Sequence, residues 1–109
     1  MCSILGILQL TSETLSLPEG MRAQAIEQSK RQRHRGPDWS GVYENESVLL
    51  VHERLSIVDV THGAQPLKTV DEQQVLAVNG EIYNHQALKQ SLQQPFQFQT
   101  DSDCEVILA

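Results

Sequence analysis

Apolar positions come first as a nearly continuous run, Ile4-Leu5-Gly6-Ile7-Leu8, and the stretch Ser3–Leu10 therefore predicts a strand buried on both faces. Ser16 and Glu19 have the spacing of a capping box, with Pro18 in the first turn where its missing N–H costs nothing. A helix from there to about Arg33 would turn Met21, Ala25 and Ile26 to one side. Arg33–Gly41 predicts a loop, because Gly36-Pro37-Asp38 and Ser40-Gly41 are turn formers. Val48–His52 and Gln74–Val78 are short β-rich runs. Asn84 can cap a weak helix to about Gln93, with Ala87, Leu88 and Leu92 inward. Phe96-Gln97-Phe98-Gln99 alternates as a half-buried strand does. At the end, Ser102 and Glu105 form a second capping box ahead of Val106-Ile107-Leu108, which starts a helix that stops after about two turns. The pattern has no repeats or low-complexity tracts. Hairpin-like β pairs between helices fit α+β better than strict βαβ alternation.

Composition narrows this modestly. The 109 residues suit a single domain, and an apolar fraction of 39% fits a soluble globular chain. A net charge of −6 disfavours nucleic acid or an anionic membrane as partner. No apolar run approaches the length needed to span a bilayer, and the basic n-region of a signal peptide is missing, so the expected compartment is the cytoplasm. The two cysteines, Cys2 and Cys104, make no disulfide framework. The unfinished helix at Ala109 reads as a fragment whose parent continues.

Five features can carry chemistry, and each has an ordinary alternative. Cys2 follows the initiator methionine. Trimming of Met1 would leave a thiol and a free α-amine on one residue, an N-terminal nucleophile with its own base. The alternative is a small hydrophobe beginning a strand. Asn79-Gly80 between apolar residues is a strong hairpin signal. Less commonly, such a pair supplies two donors, a side-chain amide and an unshielded main-chain N–H, able to hold an oxyanion. Arg54 suits a surface ion pair or the two-pronged grip on a carboxylate. Asp103 suits the first turn of a helix or, with Arg54, the two charged ends of a free amino acid. His34 is a candidate base in a charged loop, where a histidine is ordinarily just solvated. Neither a zinc spacing, a Ser/His/Asp signature nor a phosphate-binding glycine loop occurs.

Taken together, Met1-Cys2-Ser3-Ile4, Arg33-His34-Arg35-Gly36-Pro37-Asp38, His52-Glu53-Arg54-Leu55-Ser56-Ile57-Val58-Asp59, Gly63-Ala64-Gln65-Pro66-Leu67, Val78-Asn79-Gly80-Glu81-Ile82-Tyr83-Asn84 and Ser102-Asp103 resemble the start of the glutamine-hydrolysing asparagine synthetases of the bacterial B type. The resemblance implies residues 1–109 as the N-terminal part of a class II glutamine amidotransferase domain. It implies the N-terminal-nucleophile (Ntn) hydrolase fold, a partial four-layer αββα sandwich with mostly antiparallel sheets, the synthetase domain being absent. It further implies attack by Cys2 on the amide of glutamine through a thioester, with Asn79 and Gly80 as oxyanion donors. Arg54 would take the α-carboxylate, Asp103 and Glu81 the α-ammonium, and main-chain groups of Leu55, Ile57 and Val58 the pocket wall. The implied partners are glutamine and a C-terminal synthetase domain that receives ammonia through a tunnel, with a homodimer as a candidate assembly and neither nucleic acid nor membrane. No cofactor or metal is expected in this segment; ATP and magnesium are expected for the parent, which would amidate aspartate. Leu5 stands where such proteins often carry an aromatic residue. The alternatives are the glutaminase part of another class II amidotransferase, or a catalytically incomplete remnant.

Overall fold

The computed structural model describes residues 1–8, 17–56 and 63–109. Ser16, Leu10, Ile57 and Val58, on which some of the expectations fall, lie outside the described residues. The element order is β1 (Ser3–Leu8), α1 (Met21–Lys30), β2 (Trp39–Glu44), β3 (Val48–Arg54), β4 (Leu67–Lys68), β5 (Val75–Leu76), α2 (His85–Ser91) and a closing 3₁₀ helix (Asp103–Leu108). Both sheets are antiparallel: β3 lies between β1 and β2 in the first, and β4 pairs with β5 in the second. The molecule is α+β.

The register sorts the first sheet into two faces, because directly opposed residues of antiparallel strands share a face. Leu5 opposes Val51, Ile7 opposes Leu49, and Val42 opposes Val51 from the other side. These residues meet Ala25 and Met21 of α1 in one core. Complete burial of a side chain such as Leu49 stabilises by about 1.5–3 kcal/mol. The other face carries His52, Gly41 and Tyr43, and Lys68 of β4 lies over the Tyr43 ring at 5.4 Å. A second core joins Leu67, Cys104 and Leu108 to Leu76, Val78, Ile82 and Phe96.

Several expectations need correction. β1 is not buried on both faces: its pattern alternates, and Ile4 and Leu8 are exposed. Helix α1 starts at Met21 after a left-handed Gly20 (φ 81°), later than the Pro18–Glu19 start, and ends at Lys30 before a run of turns to Arg35. Its buried positions are Ala25 and Ser29, with Ile26 half-buried. Trp39, Ser40 and Gly41 belong to a strand rather than a loop. In α2, Ala87 and Leu88 are exposed and Leu92 half-buried, because seven residues lying outside the 3₁₀ helix bury no side chain fully. Phe96–Gln99 keeps the alternating burial but joins no ladder. The last element is 3₁₀, with Glu105 N–H donating to the Ser102 carbonyl at 3.3 Å. No capping box closes there. The Glu105 carboxylate instead accepts from Gln99 N–H (2.6 Å), Thr100 N–H (2.8 Å) and the Thr100 hydroxyl (2.5 Å), which moors the preceding segment.

Two close approaches set the frame of the site. A Cβ on Gly36 would stand 2.2 Å from the Glu53 carbonyl oxygen, so the turn after α1 packs directly on the Glu53–Arg54 peptide. Asp38 then reaches the same strand end: its N–H donates to the Arg54 carbonyl (3.0 Å), and its carboxylate accepts from Ser56 N–H (2.8 Å). A Cβ on Gly41 would stand 1.7 Å from the Gln65 carbonyl oxygen. The segment leading into β4 therefore lies against the β2 backbone at that point. Behind it, the buried Glu53 carboxylate accepts from the hydroxyls of Ser29 (2.7 Å) and Ser40 (2.6 Å), joining α1, β2 and β3.

Candidate functional site

Ser3 opposes Glu53 in the β1–β3 ladder, so the residue before β1 must fall beside the C-terminal end of β3. Cys2 is found there. Its Sγ accepts from Leu55 N–H at 3.3 Å and faces the Leu55 carbonyl at 3.7 Å, while the Arg35 guanidinium donates to the Cys2 carbonyl at 3.3 Å. The thiol opens onto a cavity of about 300 Å³ whose walls include Met1, Arg54, Asn79, Gly80, Glu81 and Asp103. A pocket of this size suits a small molecule. Leu55 also lines it. Cys2 is thus not a hydrophobe lost in packing.

The Asn79–Gly80 pair does not form a hairpin turn. The turn of that hairpin is Thr69–Gln74, between β4 and β5, where Asp71 accepts from the Thr69 hydroxyl (2.6 Å) and Gln73 N–H (3.1 Å). These two bonds hold the Asp71 carboxyl below its usual range. Asn79 and Gly80 instead lie in a segment without regular structure along the cavity wall. Side chains fix this segment from several directions. Val78 N–H donates to Gln65 Oε1 (2.7 Å), and His52 Nε2–H donates to the Val78 carbonyl (3.0 Å). The Cys104 thiol donates to the Gly80 carbonyl (3.4 Å), and Ile82 N–H to the Asp103 carboxylate (2.5 Å). Among the described residues neither the Asn79 side-chain amide nor Gly80 N–H has a hydrogen-bond partner, and a Cβ on Gly80 would meet no atom within 4 Å. Two unpaired donors therefore belong to residues lining the cavity onto which the thiol opens.

Charges frame the same cavity. Arg54 and Asp103 are both buried, whereas Glu81 is exposed. The Cys104 thiol is pushed up to about 11 by burial first, with the carboxylates of Asp103 and Glu81 adding to it. It is protonated at neutral pH and chemically quiet. His34 lies outside the cavity, with its ring against the Arg31 carbonyl at 3.2 Å. The cavity walls named only by the structure are Met1, Gly63, Gln65, Tyr83, Ser102 and Cys104. Among the described residues no three of His, Cys, Asp and Glu gather as metal ligands. No helix among them is long and apolar enough to cross a membrane.

His52 is fully buried, and its Nδ1 has no partner among the described residues. Burial lowers its pKa from 6.5, with the Arg54 charge adding; the Val78 hydrogen bond and Glu53 oppose them. The folded chain thus binds fewer protons here than the unfolded chain. Stability should be fully present above pH 6.5 and fall as pH drops from there toward the lowered pKa of the buried ring. Thermal unfolding followed between pH 7.5 and 5 should show this decline, and His52→Gln, which keeps a donor but does not titrate, should flatten it. An unchanged slope in that variant would assign the decline to other groups.

Cys2, the Asn79–Gly80 donors and the charged groups of Arg54, Glu81 and Asp103 thus share the walls of one small cavity. The chain matches the glutamine amidotransferase domain family along residues 1–109 and belongs to it. It is 56% identical over its full length to asparagine synthetase B [glutamine-hydrolyzing] of Escherichia coli (strain K12). It is 50% identical, over 98% of its length, to asparagine synthetases [glutamine-hydrolyzing] of Zea mays and Arabidopsis thaliana. The chain spans 19%, 17% and 18% of these three relatives, respectively.

Proposed function

We propose that the cavity binds glutamine and that Cys2 hydrolyses its side-chain amide, as the glutaminase part of an asparagine synthetase. The observation that carries this is the meeting of Cys2, Arg54, Asn79–Gly80 and Asp103 on the walls of one cavity. With Met1 removed, the Cys2 α-amine would take the thiol proton and pass it to the leaving group. Sulfur would attack the amide carbon, the oxyanion would fall to the Asn79 amide and Gly80 N–H, and ammonia would leave. Water would then cleave the γ-glutamyl thioester to glutamate. Arg54 would hold the α-carboxylate in a fork, and Asp103 with Glu81 the α-ammonium. Leu55 N–H, 3.3 Å from Sγ, would steady the attacking sulfur. The antiparallel sheets and flanking helices agree with part of an αββα Ntn sandwich. In a synthetase the released ammonia would meet aspartate activated by ATP with magnesium, both held outside this cavity.

A glutamine analogue with a diazoketone in place of the amide tests the reading directly. With Met1 removal verified by intact mass, it should add once, at Cys2, and excess glutamine should block the addition. Arg54→Ala should slow labelling about 100-fold or more through loss of the carboxylate grip, a loss of charged hydrogen bonds amounting to about 3 kcal/mol. Labelling at Cys104, or labelling of Cys2 that glutamine does not slow, would refute the proposal.

A further inference from the structure

Val78 belongs to no ladder, yet both of its main-chain polar groups are occupied by side chains. Gln65 accepts its N–H from the segment leading into β4, 13 residues away in sequence. His52 donates to its carbonyl from the central strand of the other sheet, 26 residues away. These two residues are close together, since the Gln65 carbonyl lies against Gly41 and Gly41 opposes His52. The arrangement keeps His52 although its Nδ1 is buried without a partner, a cost that packing alone would avoid with a leucine. The next two residues in the chain are Asn79 and Gly80.

We infer that His52 and Gln65 are positioning residues that aim the Asn79 amide and Gly80 N–H by clamping the Val78 peptide groups from both sides. The inference rests on the reading of Asn79 and Gly80 as oxyanion donors. Those donors act only if they are in place before charge develops, so freedom at Val78 should reach the transition state more than the bound substrate. Neither clamping residue has to touch glutamine's reacting atoms for this effect.

The test uses His52→Leu and Gln65→Leu, with His52→Gln as the variant that restores a donor to the Val78 carbonyl. Amide hydrogen exchange at Val78, whose N–H is held by Gln65, should accelerate about tenfold or more in both leucine variants. The kcat for glutamine hydrolysis should fall about 10- to 100-fold, with KM changing less than about threefold. His52→Gln should recover both readouts to within about threefold of the parent chain. Unchanged exchange and kcat in folded leucine variants would overturn the inference. So would a His52→Gln variant as impaired as His52→Leu, because that marks a packing role. If His52→Leu does not fold, Gln65→Leu decides by the same two readouts. If the parent chain hydrolyses no glutamine and takes no analogue, the proposed function fails. The exchange rate then still decides the clamp: faster exchange at Val78 upholds it, and unaltered exchange removes it.

Discussion

Replacing Cys2 with serine is expected to lower glutamine hydrolysis about 10⁴- to 10⁶-fold, the scale seen when the nucleophile of a concerted site is removed. The hydroxyl is a far weaker nucleophile at neutral pH than a thiol, whose thiolate fraction is already a few per cent or less. Serine can still accept from Leu55 N–H, which the thiol does at 3.3 Å, so the midpoint of thermal unfolding should hardly move. The measurement is glutamate release with matched melting curves. A variant that loses activity and melting temperature together would make Cys2 a structural residue. Met1 must also be gone. In the chain with Met1 in place the Cys2 nitrogen is a peptide amide without basicity, and Met1 itself forms part of the cavity wall. In a full-length synthetase bearing this segment, the same substitution should spare synthesis from free ammonia. Equal loss of both syntheses would remove Cys2 from glutamine chemistry.

Some of this architecture is visible in the residue pattern, and the failures share a cause. β1 and β3 announce themselves because runs such as Ile4–Leu8 and Val48–Val51 have few other uses. β2 does not, because Gly36-Pro37-Asp38 and Ser40-Gly41 look like turn formers. The structure uses Gly36 and Gly41 for contact, where neighbouring backbone leaves no room for a Cβ, and local pattern carries no trace of such long-range crowding. Asn79-Gly80 misleads in the opposite direction. The hairpin turn sits at Thr69–Gln74, built from Asp71 and Thr69 hydrogen bonds with Glu72 at φ 55°, and contains no glycine. The resemblance points to Cys2, Arg54, Asn79, Gly80, Glu81 and Asp103, all of which line one cavity. His52 and Gln65 stand inside the resembling segments, but their contacts with Val78 are not legible there, because they join side chains to main-chain atoms 26 and 13 residues away. The Ser102–Glu105 signature fails for a related reason: Glu105 is taken by the Gln99 and Thr100 main chain before it can close the helix.

The same substitution at two glycines should separate the frame from the chemistry. A methyl on Gly41 would lie 1.7 Å from the Gln65 carbonyl oxygen, 2.8 Å from its carbon and 3.3 Å from Pro66 Cδ. These are mostly main-chain atoms, so relief requires the Gln65–Pro66 segment to move off β2. Overpacking of this kind costs about 3 kcal/mol or more, a large share of the 5–15 kcal/mol that holds a typical domain together. Gly41→Ala should therefore lower the denaturation midpoint sharply, and it should loosen Gln65 and with it Val78. Gly80→Ala reverses the profile. No atom lies within 4 Å of the added methyl, and the φ of Gly80 is not in the left-handed range, so the fold should be unchanged or gain about 0.4–1 kcal/mol from a stiffer unfolded chain. On the proposed reading the methyl would nevertheless crowd the space that glutamine's amide would enter, beside the N–H that would receive its charge. Loss of one such donor costs about 10²–10³ in rate, and crowding its approach should cost a comparable factor. Denaturant unfolding and glutamate release measured on both variants give the comparison. If Gly80→Ala hydrolyses glutamine at the parent rate, the transition state does not lie against Gly80, and the oxyanion must be held elsewhere.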